Sequence, residues 1–135
     1  MPLFIGISLA LAVALFAKFS GFDRDRSFYP TVLIIVASLY ELFGVMGGST
    51  QALVMETGPM AGFIVLAWLA FRYSAWFAVG GLIGHGIFDG FHGGLIANPG
   101  VPSWWPMFCS SYDVAAGIFL VWRLRAAPAV PVVVP

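Results

Sequence analysis

His85, Asp89 and His92 stand at i, i+4 and i+7 in one apolar segment, so a helix would line them along a single stripe. Imidazole and carboxylate side chains bind Zn, Fe, Cu and related ions, and ligands one helical turn apart can share an ion. His85 and His92 would lie about 10 Å apart along the axis, which strains a single-ion site using both. Two ions, or one ion beside a histidine acting as base, fit that distance better. Glu41, Glu56 and Asp113 fall in three other apolar segments. Counted from the segment ends, all six ionisable residues sit within roughly two to three helical turns of one face. A charge inside hydrocarbon is costly unless it is paired, ligated or neutralised. Six at one depth therefore read as one site.

In that reading His85, Asp89 and His92 are metal ligands, and Glu41 and Asp113 complete the shell or act as catalytic acid and base. The donor set admits Zn, Fe, Cu or Mn and does not choose among them. Counting Asp89, the site offers four carboxylates with two histidines, the ligand count of di-iron or di-manganese sites in helical bundles. Those sites use two Glu-x-x-His pairs, whereas this chain has one Asp89-x-x-His92. A metal-free proton relay and a purely structural polar network account for the same residues. Two histidines on one helix face cannot clamp a haem iron from both sides, which disfavours haem. Cys109 and Asp113 also share a helix face, with Ser110 at its edge. A Cys or Ser nucleophile near a histidine would imply acyl transfer or hydrolysis. The preferred reading of Cys109 and Ser110 is close helix packing, where small and hydroxyl residues are common in membranes.

The elements that must position these residues are hydrophobic helices. The chain has 135 residues, of which 61% are hydrophobic and 9% charged. Soluble domains carry about 25% charged residues, so the composition is that of an integral membrane protein. No basic run or interleaved aromatic patch points to nucleic acid. The single cysteine excludes an internal disulfide and any CxxC motif. The first apolar segment lacks a basic n-region and reads as a retained transmembrane helix rather than a signal peptide.

Five segments follow from the pattern, at residues 2–19, 28–47, 51–71, 75–96 and 107–122. The proline-rich stretch 97–106 reads as an interfacial connection, and residues 126–135 as an extended tail beyond a single domain covering residues 1–125. All six basic residues then fall on one side, which the positive-inside rule makes cytoplasmic. Fusing segments three and four would give a helix far longer than the roughly 20 residues a bilayer needs. The expected fold is thus an all-α, five-helix, multi-pass protein of the inner (plasma) membrane, N-terminus outside and C-terminus inside. Its polar site lies in the outer half of the bilayer. Gly86, Gly90 and Gly94, with Gly80 and Gly84, and Gly58 and Gly62, are spaced for close helix approach. Trp104 and Trp105 read as an aromatic belt, or as a lid over the site.

The string His85-x3-Asp89-x2-His92-x5-Asn98-Pro99-x-Val101-Pro102-x3-Pro106-x2-Cys109-x3-Asp113 resembles an uncharacterised family of small bacterial multi-span membrane proteins. The likeness covers about the last half of the chain. It implies that His85, Asp89, His92, Cys109 and Asp113 belong together, and it brings no substrate. The function expected is a small membrane metalloprotein, one form of which is an enzyme acting on a lipid-soluble or small apolar substrate. An ion or proton relay and an accessory subunit of a larger membrane complex are the alternatives. Expected partners are membrane lipids and a homo-oligomer or larger complex, with no nucleic acid.

Overall fold

The computed structural model describes residues 1–127, and the expected extended tail falls almost wholly outside them. Among the described residues there are five α-helices and no strand: α1 Pro2–Ser20, α2 Phe28–Met46, α3 Thr50–Arg72, α4 Trp76–Leu95 and α5 Trp105–Ala126. Four of them, all but α4, are long and apolar enough to cross a membrane. The 20-residue α4 has the length, but His85, Asp89, His92 and its glycines dilute its apolar character. The helix that carries the polar stripe is therefore the one whose most apolar stretch has the lowest hydropathy, and eight of its residues are buried in the bundle.

Local chemistry explains the boundaries. Gly21 ends α1 at φ +86°, a left-handed conformation that glycine adopts without strain, and its N–H bonds the Ala17 carbonyl. The Ser49 hydroxyl caps α3 by accepting from the Ala52 N–H at 3.1 Å. Helix α5 starts two residues before the expected point, at Trp105, because Pro106 occupies its first turn, where a missing N–H costs nothing.

The helices pack as a row joined to a hairpin. Helix α5 lies between α1 and α4, α2 pairs with α3, and α4 joins the two groups. The close contacts of α5 are set by glycine. A Cβ at Gly6 would collide with Ser111 Oγ and the Phe108 carbonyl, and one at Gly86 would lie 2.7 Å from Val114 Cγ2. Of the glycines read from the sequence as packing positions, Gly86 alone meets a neighbour so closely. A Cβ at Gly58, Gly62, Gly80, Gly90 or Gly94 would meet nothing within 4 Å, so these face open space. The 3.6-residue period placed the glycines at helical spacing but did not say which stripe faces another helix.

The connection between α4 and α5 folds back over the turn between α2 and α3. Gly100 lies against Gly47 and the Phe43 carbonyl with no room for a side chain at either glycine. A Pro-rich segment thus reaches into the bundle at this end instead of lying only along its surface.

Candidate metal centre

Helix α4 presents His85 and Asp89 to Cys109 and Asp113 of α5. Each residue offers one ligand atom, and the four atoms lie within 4.8 Å of one another. None of the four residues is more than 2% exposed. His85 Nδ1 lies 2.6 Å from Asp113 Oδ2 and 3.4 Å from Asp89 Oδ2. The Cys109 thiol donates to Asp113 Oδ2 at 3.7 Å. The spacing explains the convergence, since His85 and Asp89 are one turn apart on one helix, and so are Cys109 and Asp113 on the next. The Gly86 contact brings those two helices together at this level.

Two carboxylate oxygens of the cluster, Asp89 Oδ2 and Asp113 Oδ1, are buried and accept no hydrogen bond within the protein. A buried acceptor without a protein partner is a place where an ion, a water or another group can supply one. The other oxygen of Asp89 accepts from the Tyr40 hydroxyl at 2.6 Å.

Tyr40 connects this cluster to a second buried pair. Its ring stacks on His92 with centroids 3.8 Å apart and planes 9° from parallel. His92 Nε2 lies 2.6 Å from Glu56 Oε1. Asn98, from the connection above, donates through Nδ2 both to Glu56 Oε1 and to the Tyr40 carbonyl, each at 3.0 Å. The Gly100 N–H in turn holds Asn98 Oδ1 at 3.2 Å, so the glycine contact at Gly47 fixes the residue that reaches the site.

Five of the six ionisable residues read from the sequence are therefore gathered into this network, but not in the expected grouping. His92, expected to be a ligand beside His85 and Asp89, lies outside the cluster of His85, Asp89, Cys109 and Asp113. It sits two turns further along α4 and pairs with Glu56, the axial separation that argued against one ion now separating two centres. Cys109, read as a packing residue, is a member of the cluster, and Asp113 joins it as a ligand candidate. Glu41 stays outside: its half-buried carboxylate accepts from the Thr57 hydroxyl at 2.8 Å. A helix turns about 100° per residue, so when Tyr40 faces inward Glu41 is carried away from the site. The sequence reading missed Tyr40, which has no charge to mark it. Its only signal was its place beside Glu41 at the right depth. Of the tryptophans, Trp105 packs inward, edge-on to Phe43 with ring centroids 4.9 Å apart. Trp104 is exposed, and it is Asn98 that reaches the His92–Glu56 pair, through Glu56.

Comparison of the chain with family models, with curated proteins and with solved structures finds no match. What can be said of function comes from the helices and from this cluster.

Proposed function

We propose that this protein is a multi-span membrane metalloprotein whose ion is held by His85, Asp89, Cys109 and Asp113. One observation carries the reading. An imidazole, a thiol and two carboxylates converge within 4.8 Å in a fully buried site, and two of the carboxylate oxygens lack partners. Two adjacent acids and one histidine are expensive to keep dry unless a cation offsets them. A four-donor set with nitrogen, sulfur and oxygen suits a tetrahedral ion, and the thiolate favours Zn or Fe over Mn. The Tyr40 hydroxyl on Asp89 supplies the outer hydrogen bond that orients a ligating carboxylate.

The surrounding architecture belongs to the same proposal. Helix α4 crosses the bilayer as the fifth span, shielded by its neighbours, and the basic ends of the helices face the cytoplasm. The cluster then lies in the outer half of the membrane, where a substrate would be lipid-soluble or small and apolar. The resemblance of the chain's His85-to-Asp113 string to small bacterial multi-span proteins supports the inner membrane as its location.

A second reading has its own support. The His85–Asp113 and His92–Glu56 pairs, each at 2.6 Å, are linked through Tyr40, whose hydroxyl bonds Asp89 beside the first and whose ring stacks on His92 of the second. Such an arrangement suits the transfer of protons between two centres without a metal.

Elemental analysis of the detergent-purified protein separates the two. The metalloprotein predicts one equivalent of a transition metal in the wild type, lost in Cys109→Ser and Asp113→Asn and kept in His92→Ala. A wild type that is helical by circular dichroism, folded and free of metal after expression with Zn and Fe supplied would overturn it in favour of the relay.

A further inference from the structure

An apolar groove of about 960 Å³ runs along the face of the α1–α5 pair, away from the metal centre. Leu3, Ile7 and Leu11 form its α1 wall, Val114, Ile118 and Trp122 its α5 floor, and Gly90 marks its α4 edge. On α5 alone it extends from Met107 to Trp122, about 22 Å at 1.5 Å per residue. Its polar residues are serines at one end. Two of those hydroxyls are already spent, Ser110 on the Gly86 carbonyl at 2.7 Å and Ser111 on the Phe108 carbonyl at 2.9 Å. The groove therefore offers almost nothing to a polar ligand and suits a long, narrow hydrocarbon.

Its other end is ionic. The Lys18 ammonium lies 4.7 Å from the centre of the Trp122 ring, which itself lines the groove. Among the described residues no carboxylate comes within ion-pairing distance of Lys18. The acids nearest in sequence are engaged elsewhere, Asp23 by Arg123 at 2.8 Å and Asp25 by Ser27. A long apolar groove that ends at Trp122, with an ammonium over that ring and no carboxylate paired to it, is complementary to an acyl chain with a phosphate at its head.

We propose that this groove binds one anionic phospholipid, an acyl chain lying over Val114 and Ile118 and the phosphate on Lys18. The charge distribution favours a lipid over a second copy of the chain. Up-and-down connectivity puts Lys18, Arg24, Arg26, Arg72, Arg123 and Arg125 at the same end of the helices. Two copies in one membrane share an orientation, so docking them through this groove would bring those cationic ends together.

Native mass spectrometry of the full chain in mild detergent, titrated with phosphatidylglycerol or phosphatidylcholine, tests the proposal. Phosphatidylglycerol should bind one per chain, and Lys18→Gln should weaken it about fivefold, the effect of one cation at an anionic membrane surface. Gly90→Leu should abolish binding while leaving the fold intact, because a Cβ there meets nothing within 4 Å. Ample inorganic phosphate should not displace the lipid. Equal binding of the two lipids, unchanged by Lys18→Gln, would reduce the groove to ordinary lipid contact and overturn the proposal. So would a dimer dispersed by Gly90→Leu. Metal content plays no part in the readout, so the result stands apart from that of the metal centre.

Discussion

Asp113 is the residue on which the buried cluster turns, since Oδ2 meets both His85 and Cys109. Asp113→Asn keeps the volume but removes the charge, and it should release the metal while Glu41→Gln leaves metal content unchanged. The contrast is read directly by elemental analysis, and Glu41→Gln, whose amide oxygen can still accept from the Thr57 hydroxyl, should alter stability by less than about 1 kcal/mol. Tyr40→Phe removes one hydroxyl, leaving the stack on His92. If Asp89 is a ligand, this change should weaken metal binding by roughly 10- to 100-fold, measurable by competition with a chelator. The chemistry-bearing residue types were legible in the sequence because charges are rare in apolar helices. Their grouping was not, because depth follows from counting residues whereas rotation follows from packing. Tyr40 and Glu41 differ by one position and face different surroundings.

The five helices were legible from hydropathy and turn residues, with boundaries shifted by no more than a few positions. What packs against what was less so, and the glycines show why. Glycine spacing permits close approach, but only a partner backbone makes use of it, as at Gly6 and Gly86. Gly86→Val should therefore drive α4 away from α5, lowering stability by about 1–3 kcal/mol through overpacking. The same change should lower metal occupancy, since ligands from both helices are separated. Gly94→Ala faces open space and should do neither. Thermal melts followed by circular dichroism, with metal content measured on the same samples, distinguish the pair. The α4–α5 connection supplies a further case. At Gly100 a Cβ would collide with the Phe43 carbonyl, so Gly100→Ala should displace Asn98 from Glu56. Asn98→Ala should reproduce that effect on the His92 environment, seen as a shift of the His92 ring resonances, without introducing the Gly100 clash.

At the scale of the molecule, composition indicated a membrane protein, and the structure adds an arrangement no pattern of residues announced. Helix α5 sits between α1, the first helix, and α4, the fourth, although it follows both in the chain. Helix α4 is also the one helix that falls short of the apolarity of a membrane span. Until α5 emerges from the ribosome, His85 and Asp89 have neither Cys109 nor Asp113 beside them. A chain stopped before Trp105 should therefore insert α4 less completely than the chain through Ala126, as scored by a glycosylation tag placed after Leu95. Asp113→Leu in the longer chain should recover only part of the insertion, because packing is restored but the polar partner is not. In the proposed five-span arrangement, assembly would not be the sequential laying-down of finished spans. The last helix would admit its predecessor to the membrane, and the centre and the topology would be completed in the same event.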